Sequence, residues 1–480
     1  MRVLVAAAVV IAGALSVVTV GQRAYAEQDS YAGRDYCASI ACYDPAQLQQ
    51  AYGLPSLYAR GISGKGVTIA VVDPYGSATI ASDLAAFDVA TGLPAPPSLT
   101  VVSPGGRLPA ASDASTWAVE TTLDVEYAHA VAPRARIVVA NTVPDAAGII
   151  TAEQYVQKHY HAEVISQSLT ETEQIVGSSS DIATMHAAYA GLVSAGVTVV
   201  ASSGDTGAAN TEADGVTYYG YPATSYPASD PLVTAVGGTH LSLDTAGDRT
   251  AADRVWNDTY DTATNETDYG NAGPNPLASG GGMSVLFARP AYQDGVKGVV
   301  GSRRGVPDVS MSAACSAPVE IYLTDGPGSY DWYPACGTSE AAPLFAGVVA
   351  LADQLAGHPL GAVNPALYQL AAAHAGGIVP VTSGGNTVSF HQGGVERTVH
   401  GFQAASGNSY SLAAGVGTVN GAAFVPELVA QLAPVTAAAR SPATAVAAPG
   451  PLVCVLTVAE REHSDFTTTR PLTCGFLSRS

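Results

Sequence analysis

Lysine is almost absent from this 480-residue chain: only Lys65, Lys158 and Lys297 are present. Lysine and arginine together number 20 against 40 acids, a formal net charge of −20. A chain without a basic stripe cannot track a phosphate backbone, which argues against nucleic acid as a partner. Charged residues are only 12% of the chain and hydrophobic ones 47%, so a disordered chain is excluded. Cysteine is scarce, with six residues and no CxxC pair, so a zinc ribbon is not supported. Past the N-terminus no apolar run is long enough to read as transmembrane. What the chain has in quantity is glycine (50) and proline (30), which implies many loops around a core. The acid excess keeps the chain soluble, and at low pH its carboxylates would protonate and self-repulsion would fall.

The first 26 residues read as a signal peptide. Arg2 supplies the charged start, Val3 to Val20 the apolar stretch, and Ala24-Tyr-Ala26 an A-x-A cleavage site. The expected product is secreted, extracellular and free of the membrane. In an exported chain the cysteines are expected in local disulfides: Cys37 with Cys42, Cys315 with Cys336, and Cys454 with Cys474. The domain reading is a signal peptide (1–26), one domain (27–435), and a linker with a short cysteine-containing tail (436–480). Val435 to Pro451 is the Ala/Pro-rich linker.

Between these ends the pattern is α/β. Apolar runs at Val67–Asp73, Ala135–Ala140, Glu163–Leu169 and Val197–Ser203 read as buried strands. Segments 80–89, 115–130, 152–159, 181–195, 339–354 and 364–372 read as helices, 204–282 as loop-rich, and 376–420 as short strands and turns. Strands alternating with helices imply a mostly parallel sheet with helices on both faces. In such sheets the chemistry gathers beyond the carboxyl ends of the strands.

Three motifs could carry chemistry. In Cys336-Gly-Thr-Ser-Glu-Ala-Ala-Pro343, Ser339 opens a helix after a glycine, and Pro343 falls in the first turn, where a missing N–H costs little. A hydroxyl there sits beside backbone N–H groups that can stabilise an oxyanion. In Glu120-Thr-Thr-Leu-Asp124 two carboxyls four apart share one helix face, and like charges so placed destabilise a helix unless they share a proton. Glu120 could then take the serine proton, oriented by Asp124, and a carboxyl base implies acid activity. In Val199-Val-Ala-Ser-Ser-Gly-Asp205-Thr-Gly207 an acid follows a buried strand; protonated, Asp205 could donate to an oxyanion. Each has a plainer reading: an N-cap serine, a solvated acidic face, a turn-capping Asp. Ten histidines are available as bases, but no H-G-T-H run exists, and His129, His159 and His161 read as helix residues without a catalytic setting.

Taken together and in this order, the motifs resemble the sedolisin family of serine-carboxyl peptidases, over about residues 43–433. Supporting runs are Gly61–Asp73, Thr234–Thr239, Gly280–Ser284, Arg289–Gln293 and Arg304–Val309. The resemblance implies a subtilisin-like fold and endopeptidase action on proteins or peptides in acid. It implies Ser339 as nucleophile, Glu120 as base, Asp124 as its orienting acid and Asp205 at the oxyanion. Asp73 holds a strand end that is not catalytic in this family. A monomer is expected.

Two departures stand out. The family's long N-terminal propeptide has no counterpart before residue 43. At the family's calcium site, Pro380 and Ser411 replace the two Asp ligands, ahead of Val381–Asn386 and Leu412–Asn420, while Gly407 survives and Ser409 replaces another glycine. Without those carboxylates no metal or other cofactor is expected. The competing reading is a catalytically inactive relative that acts as a binding or cell-surface protein; the intact set of four residues opposes it. A neutral subtilisin-type protease is opposed by the missing H-G-T-H run.

Overall fold

The structure, a computed structural model, describes Cys37 and residues 42–109, 114–261, 273–325, 331–404 and 410–433. The signal peptide, the 436–480 tail, the Cys454/Cys474 pair, Gly407 and Ser409 lie outside the described residues.

Seven strands build the main sheet: β1 (Thr68–Pro74), β2 (Leu99–Val102), β3 (Arg136–Thr142), β4 (Val164–Gln167), β5 (Thr198–Ser202), β6 (Thr234–His240) and β7 (Val309–Ser312). Their order is β7-β6-β5-β4-β1-β3-β2, and every neighbouring pair is parallel. Arg254–Val255 adds an antiparallel eighth strand beside β6. Parallel neighbours need crossovers, which explains the alternation with helices. β1 is buried along its whole length, as a central parallel strand should be. The chain runs from β1 out to β2 at the sheet edge, returns to β3 beside β1, and then crosses to β4 on β1's other side. The crevice at the carboxyl ends of β1 and β4 is therefore the switch point.

Side-chain alternation along β1 feeds two cores. Ile69 and Val71 join one, Ala70 and Val72 the other. The first core is completed by α2 (Ala114–Val131), α5 (Thr338–Ala356) and α6 (Gly421–Leu432), through Leu123, Phe345 and Phe424. α1 (Ile80–Thr91) adds Leu84 and Phe87 to the same side. The second core is completed by α3 (Ala146–Tyr160) and α4 (Ser179–Ser194), through Val156, Tyr189 and Leu192. α3 starts where the Asp145 side chain accepts from the Gly148 N–H at 2.7 Å, and α4 where Ser178 and Asp181 form a capping box.

α5 is buried from Thr338 through Asp353. Leu344, Phe345, Val348, Val349 and Leu351 are fully covered, and each such side chain stabilises the fold by about 1.5–3 kcal/mol. Its small residues let α5 pass close to α2: a Cβ on Gly347 would lie 2.6 Å from the Cβ of Val131. Disulfides join Cys37 to Cys42 and Cys315 to Cys336, as their spacing suggests.

Four of these elements differ from the sequence reading, the four-residue β2 among them. β6 lies inside the stretch read as loop-rich. Its run Thr-Ala-Val-Gly-Gly-Thr-His looks unlike a strand because two positions admit no side chain. A Cβ on Gly237 would meet Pro307 and Ser310 at 2.7 Å, and one on Gly238 would meet Ala313 at 2.7 Å. β7 and α6 were also not anticipated; β7 is only four residues long, and α6 holds Pro426 within its span.

Candidate active site

α2 and α5 lie side by side over the sheet, and α2 starts at the carboxyl ends of the strands. This packing joins segments that lie far apart in the chain. Glu120 and Asp124 come from α2, Asp73 from the end of β1, Ser168 from just past β4, Asp205 from three residues past β5, and Ser339 from the first turn of α5. Glu120 and Ser339 are each 7% exposed, so they meet the crevice, whereas Asp73 and Asp124 are fully buried.

The helix entry is built around Gly337. Its φ of +107° suits glycine, and a Cβ there would lie 2.7 Å from the Asp205 Oδ2. The Gly337 N–H donates to the Ala313 carbonyl at 2.8 Å. The Thr338 N–H and hydroxyl both donate to Asp205 Oδ1 at 2.7 Å, and the Thr338 hydroxyl accepts from the Gly204 N–H at 3.0 Å. Asp205 is thereby fixed through one oxygen, with Oδ2 turned to Gly337, two residues before Ser339. Burial pushes its carboxyl up to about 6, against the two Thr338 bonds that draw it down.

The acids beneath Ser339 form one electrostatic unit. Burial pushes the Glu120 carboxyl up; the Asp73 charge adds to this, and the hydroxyls of Ser339 and Ser168 oppose it. Burial raises Asp124 well above the usual carboxylate range, and the charges of Asp73 and Glu120 raise it further. Ser168 donates to Asp124 Oδ1 at 2.8 Å and lies 3.4 Å from the Ser339 carbonyl. Burial pushes the Asp73 carboxyl up as well, partly offset by a hydrogen bond from Thr121. Three carboxyls so close cannot all ionise near neutrality, so their protons are shared and leave in steps.

The sequence reading therefore named four residues that the fold gathers at one place, and it missed three contributors. Asp73 was set aside, yet it stands in the same cluster. Thr338 clamps Asp205, and Ser168 clamps Asp124. Ser168 had a faint signal, as a serine just past a buried strand at the switch point. The three histidines weighed above stand elsewhere. His129 is fully buried, with Nε2 3.0 Å from Asp88 and 3.0 Å from the Pro94 carbonyl, and His159 and His161 sit at the end of α3.

At the segments corresponding to a calcium site, the residues do not fit the ion. Neither Pro380 nor Ser411 brings a carboxylate, and the Ser411 hydroxyl accepts from the Ala414 N–H at 3.1 Å. Among the described residues no group of three or more His, Cys, Asp or Glu is placed to hold a metal. Among them, too, no helix is long and apolar enough to cross a membrane.

Comparison with known proteins bears on the family and the fold. The profile described as Subtilase family matches residues 110–362. The chain is 33% identical over 352 residues to kumamolisin from Bacillus sp. (strain MN-32), covering 72% of this chain and 58% of that protein. It is 31% identical over 230 residues to sedolisin from Pseudomonas sp. (strain 101), covering 47% of this chain and 35% of that one. The matches thus span little more than half of these relatives' length at most. Among solved structures, Pseudomonas sedolisin, a serine-carboxyl proteinase complexed with two molecules of pseudo-iodotyrostatin, superposes with a TM-score of 0.67 at 24% identity. That superposition covers 82% of this chain and 99% of the other, and it bears on the fold.

Proposed function

The chain belongs to the subtilase family, as a sedolisin-type member, and from that premise we propose that it is a secreted endopeptidase that cleaves proteins or peptides in acid with Ser339 as nucleophile. One observation carries the reading: among the described residues, the titratable groups gathered around Glu120 and Ser339 are carboxyls, with no imidazole among them.

Ser339 Oγ attacks the scissile carbonyl and gives its proton to Glu120. The negative charge that Glu120 must hold beforehand is the single charge of the Asp73–Glu120–Asp124 unit. The Ser339 and Ser168 hydroxyls favour its residence on Glu120. Asp124, held by Ser168, fixes the base. The developing oxyanion accepts from the Ser339 N–H and from protonated Asp205, whose Oδ1 is occupied by Thr338 and whose Oδ2 can carry the proton. Glu120 protonates the leaving amine as the C–N bond breaks. Water then attacks the acyl-enzyme, its proton passing to Glu120 and back to Ser339.

Asp205 must be protonated to donate, so activity falls as pH rises through about 6. The acid limb reports the first ionisation of the three-carboxyl unit. Cleavage of a denatured protein, followed from about pH 3 to 8 beside Ser339→Ala, tests the reading. Acid cleavage abolished by the substitution is expected. A neutral optimum would remove Glu120 as base, and a folded but inactive parent would favour a binding role. We also propose that the protein works without calcium, so a chelator is expected to leave the thermal midpoint unchanged; a drop of several degrees would contradict this.

A further inference from the structure

Trp117 stands one helical turn before Glu120 on α2 and is fully buried. It belongs to the same buried cluster as Val72 and Ala140, the residues that precede Asp73 and Asn141 at the ends of β1 and β3. The indole thus packs at the carboxyl ends of β1 and β3 through the side chains that alternate with Asp73 and Asn141. Its Nε1 is buried without a hydrogen-bond partner. One turn on along the same helix, Glu120 Oε1 is likewise buried and unpartnered. An orphaned N–H is costly where it lacks a partner, and so is each orphaned acceptor. On a helix, residues three apart are neighbours, and side chains lean toward the N-terminus, which carries Glu120 back over the turn of Trp117.

We propose that Trp117 is a positioning residue for the base: its indole N–H donates to the Glu120 carboxylate when Glu120 ionises, while its ring keeps water from that side. The inference rests on Glu120 acting as base. The groups facing Glu120 are Asp73 from β1, Asp124 from its own helix, Asp205 beyond β5, Ser168 beyond β4 and Ser339 from α5. Apart from Trp117, the donors in this set are hydroxyls and, when protonated, the acids themselves. Hydroxyls can rotate away; the indole N–H is fixed by the ring's packing.

Two measurements test this. In 15N-labelled Ser339→Ala protein, which cannot digest itself through this serine, the three tryptophans give three indole resonances. The Trp117 signal is expected to move downfield as pH rises through the acid limb, and to stop doing so in Ser339→Ala/Glu120→Gln. Trp256, whose indole already donates to Asp258 at 2.7 Å, is the internal reference. In the active protein, Trp117→Phe keeps the ring and removes the donor. It is expected to shift the acid limb of kcat/KM upward by about one pH unit, because the ionised base loses a bond. A uniform loss of rate with an unmoved limb, or an indole signal indifferent to Glu120, overturns the proposal. If Trp117→Phe fails to fold, the resonance decides alone. If the parent shows no peptidase activity, the functional reading fails, while the resonance still reports whether Trp117 serves Glu120.

Discussion

Asp205 has one oxygen committed to Thr338 and the other beside Gly337, so its chemistry depends on a single proton. Asn at this position can still accept from Thr338 through its carbonyl oxygen and donate through its amide. Asp205→Asn is therefore expected to retain part of the activity and to lose the fall near pH 6. Asp205→Ala, which removes the donor, is expected to lower kcat by about 100- to 1,000-fold. Profiles of kcat against pH for both variants check this; an unchanged limb in Asp205→Asn would assign it to another group. At this scale the sequence was informative wherever a motif is contiguous, as in G-T-S or E-x-x-x-D. It was silent on the contacts of Ser168 and Thr338 and set Asp73 aside, because such contacts join segments more than 40 residues apart in the chain, as in Ser168 with Asp124 (44 apart) and Thr338 with Asp205 (133 apart).

Among the elements, α5 and the turn that starts it set the nucleophile's position. Gly337→Ala would force a side chain onto a φ of +107° and drive its Cβ against Asp205. The strain alone is of order 1–3 kcal/mol. The expected result is a lower thermal midpoint together with a loss of kcat larger than that of KM, since the substituted carbon displaces Asp205. A variant with parental kcat would mean that the turn relaxes freely. The elements legible in the sequence were those with one clear period, such as β1, α2 and α5. β6 was hidden because its glycines answer to Pro307, Ser310 and Ala313, which are far along the chain. Packing against a neighbour, rather than local propensity, chose those residues.

Taken whole, the molecule is an acidic chain that buries many of its carboxyls without cations. Glu153, Glu340 and Asp353, outside the coupled unit around Glu120, are pushed up to about 8, in each case chiefly by burial. Each folded pKa lies above the value in the unfolded chain, about 4. The folded state therefore holds protons that the unfolded state releases. This stabilisation is complete below about pH 4 and is lost as pH rises from there through about 8. The midpoint of unfolding is expected to fall steadily over that range, measured by calorimetry on Ser339→Ala protein. Glu340, next to the nucleophile and with both oxygens buried and unpartnered, should account for part of the slope. Glu340→Gln is expected to flatten the pH dependence, and a midpoint that rises with pH would refute the account.

The nucleophile stands at the head of the helix that is enclosed for most of its length, from Thr338 through Asp353. Such a helix has no exposed face from which to fray, so its amides should exchange with solvent only when the domain opens as a whole. Catalytic competence and global folding would then be lost in a single cooperative event. Heat inactivation should follow the unfolding transition, and a partly opened but still active species should not accumulate.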